Sequence, residues 1–162
     1  MRPATSASAL RVQAVLGAGF EVLEFDTSTR TAADAAAAIG CSVGQIAKSL
    51  IFRAQETGRP VLAIASGSVR VDEARLAELL GEAIGRADAT FVREQTGFAI
   101  GGVPPVGHSK QPVIFIDDTL LGFETIWAAG GTPNAVFRLS PSDLLRLTGG
   151  TVAAIAQPDR PG

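Results

Sequence analysis

The segment TGFAIGGVPPVGHS, residues 96–109, constrains the fold more than any other stretch of this sequence. It contains four glycines and two adjacent prolines, and its flanks are typical of an ordinary helix and an ordinary strand. Glycine adopts backbone angles that other residues avoid and lets another molecule approach the main chain, while proline fixes φ and removes a hydrogen-bond donor. We therefore expect a loop of fixed shape, which is either a tight connection between elements or the wall of a binding site.

Hydrophobic periodicity predicts helices and strands in irregular alternation on both sides of this loop. The expected helices begin at Ser8, after the caps Thr31, Asp72 and Ser140, and at Ala89. The expected strands cover residues 20–25, 44–55, 60–66, 112–117, 123–129, 135–139 and 151–156, and residues 26–30 form a turn. The pattern predicts one α+β domain over residues 8–156, between flexible tails at residues 1–7 and 157–162. Its sheet is mixed, curved and barrel-like, with six to seven strands and short helices around it.

The composition excludes several classes of protein. Hydrophobic residues make up 46% of the chain, but no apolar run approaches the ~20 residues that span a bilayer, so we expect a cytoplasmic protein. One cysteine and one histidine are too few for a structural zinc site, which leaves carboxylates as the only metal ligands. We expect no metal and no cofactor. The net charge of −2 gives no basic surplus for a long duplex, although a protein that holds only an RNA end needs none.

Lys48 is one of only two lysines, and it lies inside the apolar run IAKSLIF. In a regular strand Ile46, Leu50 and Phe52 share its face. Burying an unpaired ammonium group is unfavourable. Lys48 therefore either reaches water near a strand end or serves as a cation in an apolar pocket, where it binds a carboxylate, carbonyl or phosphate.

The order of these motifs resembles the YbaK family and the editing domains associated with prolyl-tRNA synthetase. The motifs are IAKSLIF at residues 46–52, TGFAIGGVPPVGH at 96–108, PVIFID at 112–117 and WAAGGTPNAVFRLSPSDL at 127–144. The resemblance covers about residues 20–156. Its most specific parts are the lysine in the apolar strand and the G-x-x-x-P loop, residues 101–105.

The resemblance implies a mixed β-barrel with surrounding helices and a trans-acting aminoacyl-tRNA deacylase that uses no metal. Such an enzyme hydrolyses the ester of a mischarged tRNA, most often tRNA-Pro carrying a small noncognate amino acid: Cys, Ala, Ser, Thr or 2-aminobutyrate. A hydroxyl of the terminal adenosine assists the attack of water. The expected partner is the 3′ acceptor end of the tRNA, with prolyl-tRNA synthetase left open as a second, and no membrane partner is expected.

Carried onto this sequence, the resemblance assigns catalysis to Lys48, Gly101, Gly102, Val103 and Pro105. Lys48 holds the terminal phosphate or the aminoacyl portion as a point charge. Main-chain N–H groups of the loop bind the ester carbonyl or the substrate amine, as in an oxyanion hole. Because proline has no N–H group, these donors belong to Gly101, Gly102 or Val103.

Five further residues are expected to bind substrate: Ser66, Gly67, His108, Gly131 and Thr132. Some relatives carry a histidine in the loop that corresponds to residues 130–134, where this chain reads GGTPN. Either Thr132 or His108 takes the role of that histidine, or neither does. Ser66 and Gly67 either line the pocket or form a simple turn.

Two other functions stay open. One is a non-catalytic module of the same fold that binds tRNA or a synthetase, because the lysine and the loop serve binding as well as hydrolysis. The other is a small-molecule hydrolase or amino-acid-binding protein, which the acidic balance favours. Ester release separates the first from an editing enzyme, and the salt dependence of binding separates the second.

Overall fold

Nine strands pair into one mixed sheet in the computed structural model, which describes residues 1–26, 29 and 31–158. The strands are β1 (Arg2–Pro3), β2 (Val22–Glu24), β3 (Ile46–Ala54), β4 (Pro60–Ser66), β5 (Ile84–Arg86), β6 (Val113–Asp117), β7 (Ile126–Ala129), β8 (Ala135–Leu139) and β9 (Thr151–Ala153). Their order is β1-β2-β8-β7-β3-β4-β6-β9, with β5 beside β3. Three pairs are parallel, β3 with β7, β4 with β6 and β6 with β9. The predicted mixed α+β architecture is confirmed, and the sheet is open, with β1 and β9 at its ends. The predicted number of six to seven strands was too low, because the short strands β1 and β5 were not predicted.

Five helices accompany the sheet in the described part of the chain: α1 (Ala7–Leu16), α2 (Ala32–Ile39), α3 (Glu73–Leu80), α4 (Ala89–Thr96) and α5 (Pro141–Thr148). The predicted caps are confirmed, because the side chains of Thr31, Asp72 and Ser140 each accept a hydrogen bond from the backbone N–H three residues on. A short 3₁₀ turn, Val43–Gln45, replaces the start of the strand predicted over residues 44–55. A second 3₁₀ turn, Asp118–Gly122, follows β6. The strands predicted over residues 20–25, 123–129 and 151–156 are shorter in the structure.

The N-terminus differs from the predicted flexible tail, because residues 2–3 form β1. The buried carboxylate of Glu24 in β2 accepts hydrogen bonds from the backbone N–H groups of Thr5, at 2.8 Å, and Ser6, at 3.0 Å. These bonds hold the pKa of Glu24 below its ordinary value, since they stabilise the carboxylate form. At the C-terminus, Gln157 donates its N–H to the Arg70 carbonyl at 2.7 Å. The rest of the predicted tail, residues 159–162, and residues 27, 28 and 30 of the predicted turn lie outside the described residues.

The core lies on both faces of the central strands β3, β4 and β6. Leu62, Ile64 and Ile116 pack with α1 and α5 on one face. Val61 and Ala63 pack with α3 on the other. A third, smaller cluster joins α2 to the start of β3 and to β7.

The sheet has a gap beside the middle of β3. On one side β3 pairs with β4 from Ala47 to Arg53. On the other side it pairs with β7 only at Ile46 and Ala47, and with β5 only from Phe52 onward. Residues 48–51 therefore have no strand neighbour on that side within the described chain.

Candidate active site

A cavity of about 290 Å³ opens at this gap, and we call it the main cavity. Its walls come from α2, residues 46–50 of β3, residues 127–129 of β7, the start of β8, and Ile100, Gly101 and Val103. Small side chains make the room. The alanines of the wall are Ala32, Ala35, Ala47, Ala128, Ala129 and Ala135. Ile100 lies at the rim with 57% of its surface exposed, whereas Ala47, Ala128 and Ala135 are buried at the closed end. The cavity is thus exposed to solvent at Ile100, whereas its walls are mainly apolar and partly buried.

Lys48 brings the one charged side chain to the main cavity among the described residues that line it. Its ammonium group is half-buried and donates a hydrogen bond to the Val69 carbonyl oxygen at 2.6 Å. Burial lowers the pKa of Lys48, Asp117 opposes that shift and Arg70 adds to it. Lys48 is therefore partly exposed to water, as the first interpretation of the sequence expected, and it lines an apolar cavity, as the second expected. Its ammonium group is paired with the Val69 carbonyl.

The 101–105 loop forms the opposite part of the wall through Gly101 and Val103. The N–H of Gly102 is occupied, because it donates to the Ala99 carbonyl at 3.0 Å. No described residue accepts a hydrogen bond from the N–H of Gly101 or Val103. Of the three N–H groups proposed as donors to a ligand, those of Gly101 and Val103 are therefore available and that of Gly102 is not.

Close packing against the 130–134 loop fixes the shape of the 101–105 loop. A Cβ atom on Gly102 would lie 2.7 Å from the Cα of Thr132 and 2.9 Å from its backbone N and C atoms. Gly101 has a φ of +91°, which favours glycine over other residues. The two glycines at the start of the loop therefore have different roles. Gly102 allows close packing against Thr132, and Gly101 allows the left-handed backbone conformation.

His108 lies on the far side of the loop, where it lines a second cavity of about 200 Å³ that we call the rear cavity. Its Nε2–H donates to the Pro104 carbonyl oxygen at 2.7 Å. Burial lowers the pKa of His108, and the bond to Pro104 opposes the shift to a smaller extent, so the neutral imidazole is favoured. Pro105 also lines the rear cavity. Neither His108 nor Pro105 lines the main cavity in the structure.

The remaining residues predicted to bind substrate do not line the main cavity. Ser66 is buried and donates its hydroxyl to the Gly44 carbonyl at 2.7 Å. Gly67 donates its N–H to the Ile46 carbonyl, and a Cβ there would lie 2.5 Å from the Val43 carbonyl oxygen.

Gly131 and Thr132 are likewise engaged with other parts of the chain. Gly131 packs against α1, where a Cβ would lie 2.8 Å from the Ser8 carbonyl oxygen. The Thr132 hydroxyl donates to Oδ1 of Asn134 at 2.7 Å. The donor of Thr132 is therefore committed within its own loop.

Sequence reasoning missed two hydroxyl side chains on the main cavity, Thr29 and Ser49. Thr29 donates its hydroxyl to the Pro133 carbonyl at 2.7 Å and so ties the 130–134 loop to the entrance of α2. Ser49 follows Lys48 directly in the apolar run, and its Oγ is buried. The signal that could have identified Ser49 is a second polar residue within that run.

Residues 1–26, 29 and 31–158 lack two other kinds of feature. No helix there is long and apolar enough to cross a membrane. No group of three or more His, Cys, Asp or Glu side chains there is placed to hold a metal ion. Burial raises the pKa of the half-buried Cys41 thiol, which makes it a poor nucleophile.

Comparisons with known proteins point to one family. The model of the aminoacyl-tRNA editing domain matches residues 26–147. The "Uncharacterized protein YwhH" of Bacillus subtilis is 37% identical over 124 residues, which are 76% of this chain and 78% of that protein. The "Putative Cys-tRNA(Pro)/Cys-tRNA(Cys) deacylase EbsC" of Enterococcus faecalis is 28% identical over 126 residues, 77% of this chain and 76% of that protein. A "Crystal structure of a putative trans-editing enzyme for prolyl tRNA synthetase" superposes with a TM-score of 0.90 at 46% identity, over 96% of this chain and 100% of that one.

Proposed function

Because this chain belongs to the aminoacyl-tRNA editing domain family, we propose that it hydrolyses the ester of mischarged tRNA in trans. The proposed substrate is tRNA-Pro carrying Cys, Ala, Ser, Thr or 2-aminobutyrate, and the proposed partners are the 3′ end of that tRNA and prolyl-tRNA synthetase. The relatives named as a deacylase and as a trans-editing enzyme support this choice.

One observation carries the proposal: a small, mainly apolar cavity is lined both by a residue with a cationic side chain and by a loop with two unpaired N–H groups. The cation is Lys48, and the unpaired groups belong to Gly101 and Val103. A cavity of about 290 Å³ is at the lower end of the range for ligand sites and suits a small aminoacyl group. The gap beside residues 48–51 of β3 gives that group a way in.

In the proposed mechanism, the ester carbonyl lies at the 101–105 loop, near the mouth of the main cavity. A water molecule attacks the carbonyl carbon, and the N–H groups of Gly101 and Val103 stabilise the negative charge that develops on the carbonyl oxygen. A hydroxyl of the terminal adenosine assists the water. The bond between the carbonyl carbon and the ribose oxygen then breaks, which releases the free amino acid and leaves the tRNA with its hydroxyl restored.

Lys48 binds the terminal phosphate or the aminoacyl portion in this mechanism. An ammonium group serves as a compact point charge for either. Its hydrogen bond to Val69 fixes its position before the substrate arrives, so less ordering is needed on binding. Partial burial strengthens the attraction to an anion, because water screens it less there.

A second candidate function is a non-catalytic module that binds aminoacyl-tRNA. The observation that favours it is the absence of an imidazole among the described residues that line the main cavity. Thr132 does not replace it, because its hydroxyl is bonded to Asn134. A binder would slow hydrolysis of the ester, and an editing enzyme would speed it.

The experiment is a deacylation assay on tRNA-Pro charged separately with Cys, Ala, Ser, Thr, 2-aminobutyrate and Pro. Wild type, Lys48→Ala and Lys110→Ala are compared, since Lys110 is the other lysine, exposed and outside the main cavity. We expect release of at least one noncognate amino acid with Pro spared. We expect a loss of at least about 100-fold in Lys48→Ala, the size seen when one electrostatic contact to a transition state is removed, and no loss in Lys110→Ala.

Protection of every ester by the wild-type protein would support the binding module instead. An unchanged rate in Lys48→Ala would remove the lysine from the site. Circular dichroism of both variants shows whether a lost rate reflects a lost fold.

A further inference from the structure

The Ser49 hydroxyl is the single buried side-chain N or O atom without a hydrogen-bond partner among residues 1–26, 29 and 31–158. Buried hydroxyl groups in folded proteins nearly always have a partner, because leaving one unpaired is unfavourable. An orphan of this kind therefore calls for an explanation in terms of something that binds there.

Ser49 lines the main cavity, in the part of β3 that has no strand neighbour on the β7 side. The Lys48 ammonium does not satisfy it, because that group donates to the Val69 carbonyl and the Ser49 oxygen has no hydrogen-bond partner. The residues nearest to Ser49 on its own face of the sheet are apolar: Ala47 and Ile51 in β3, and its partner Ile64 in β4. Ser49 is thus an isolated hydroxyl in hydrocarbon surroundings.

The position of Ser49 indicates which part of an aminoacyl group it would meet. The ester end belongs near the exposed rim, where Ile100 and Gly101 lie. The Ser49 hydroxyl oxygen is buried, so we expect the part of the substrate that reaches it to be the amino-acid side chain. An α-ammonium group is a poor match there, because a charged group needs several acceptors or a counter-ion when it leaves water.

A hydroxyl group both donates and accepts hydrogen bonds, so its best small partner is another hydroxyl. We infer that the Ser49 hydroxyl binds the side-chain hydroxyl of the aminoacyl group and makes this site selective for seryl- and threonyl-tRNA. The inference rests on the proposed deacylase function and narrows its substrates. A site built to bind a hydroxyl rejects the analogue that lacks it, because the polar group of the site is then left unpaired.

Isosteric substrates test the inference directly, since 2-aminobutyrate has a methyl group where serine has its hydroxyl. The assay compares kcat/KM for tRNA-Pro charged with Ser, Thr, Cys and 2-aminobutyrate. We expect wild type to prefer Ser over 2-aminobutyrate by about 10- to 100-fold, the range for one neutral hydrogen bond together with the unpaired group. Cys falls between them, because a thiol is a weaker donor and acceptor.

Three variants separate side-chain recognition from structural effects. In Ser49→Ala the preference should fall to about 1, mainly through slower release of Ser. Ser49→Thr keeps a hydroxyl and should keep the preference. Ser142→Ala, on the exposed surface of α5 outside the cavity, should match wild type. Because Ser49→Ala removes an unpaired buried hydroxyl, its melting temperature should rise by about 2 to 4 °C.

The outcomes distinguish this inference from the function on which it rests. Release of no amino acid by wild type would overturn the deacylase proposal and this inference together. Release of 2-aminobutyrate or Cys as fast as Ser would overturn this inference alone, and the wild-type ratio decides that point even if Ser49→Ala does not fold. A preference that survives unchanged in folded Ser49→Ala would also overturn it.

Discussion

The segment around the 101–105 loop has a front half, residues 100–103, and a rear half, residues 104–108. The polar groups of the two halves differ in their hydrogen bonding. In the first half, Ile100, Gly101 and Val103 line the main cavity, and the N–H groups of Gly101 and Val103 have no acceptor among the described residues. In the second half, residues 105–108 line the rear cavity, and the Pro104 carbonyl is bonded to His108.

We propose that the two halves of this loop have different tasks. Gly101 is exposed and Val103 is buried, and their N–H groups are open to a ligand because neither has an acceptor among the described residues. The rear half supplies the rigidity that keeps those donors in place, through buried Pro105 and Val106 and the His108 bond. Substitutions in the front half should therefore affect catalysis through the donors, and substitutions in the rear half should affect it through the shape of the loop.

The largest effect is expected for Gly102→Ala, which forces the front half of the loop away from the 130–134 loop. The new Cβ would meet backbone atoms of Thr132 at 2.7 to 2.9 Å, and backbone cannot rotate away as a side chain can. We expect kcat/KM for deacylation to fall by about 100-fold or more and the free energy of unfolding to fall by about 1 to 3 kcal/mol. Rates and urea unfolding curves measure the two losses.

Gly101→Ala is the matched control for that substitution. Its Cβ would have only the Pro133 side chain nearby, at 3.8 Å, so the strain comes from the φ of +91° alone. We expect a smaller loss of about 10-fold, in line with roughly 1 to 2 kcal/mol for a left-handed residue with a Cβ. Equal rates for wild type and Gly102→Ala would show that the loop is not part of the site.

An intermediate effect is expected from the rear half, where His108→Ala removes the donor to Pro104. The loop then loses one fixed point, and kcat should fall by about 10-fold while KM changes little, because His108 does not line the main cavity. His108→Gln places an amide donor near the same carbonyl and should recover most of the rate. A purely structural role would lower stability in both variants and leave kcat of the folded fraction unchanged.

The smallest effect concerns pH. Burial holds the pKa of His108 below its ordinary value of 6.5, and no charged side chain lines the rear cavity among the described residues. As the pH falls below about 7, the unfolded chain takes up a proton that the folded chain refuses, so the free energy of unfolding falls. It continues to fall until the pH passes below the pKa of the folded state.

Urea unfolding between about pH 7 and pH 5.5 measures this loss, and His108→Gln should remove it. The carboxyl groups with lowered pKa values, Glu24, Glu82 and Asp143, contribute only at lower pH, since their ordinary values are 4.5 and 3.8. The same slope in wild type and His108→Gln would show that His108 titrates normally.

Local signals in the sequence account for most of the fold. The caps Thr31, Asp72 and Ser140 and the hairpin between β3 and β4 depend on neighbouring residues, which periodicity and capping patterns detect. Strand β1 was missed because it forms by pairing with β2, about twenty residues away, and the Glu24 carboxylate in β2 holds the chain at Thr5 and Ser6 directly after it.

The candidate site was only partly predictable for the same reason. Lys48 and the 101–105 loop stand out as a cation in an apolar run and a Gly-Pro cluster, and the structure brings both to one cavity. The Ser49 hydroxyl has no partner and lies where β3 has no strand neighbour on the β7 side. That gap depends on the pairing of distant strands, so the local sequence does not reveal it. The position of His108 behind the loop follows from the path of the chain after Pro105, and no local pattern encodes that path.

The most direct test of the central claim follows the backbone amides of the two halves by NMR while a substrate analogue binds. A suitable analogue is seryl-3′-amino-3′-deoxyadenosine, in which an amide replaces the labile ester. We predict that the amide signals of Gly101 and Val103 shift strongly on binding, because their N–H groups gain an acceptor, while the signal of Gly107 stays in place. Saturating binding that leaves Gly101 and Val103 unmoved, or that shifts Gly107 instead, would contradict the assignment of the front half to the substrate.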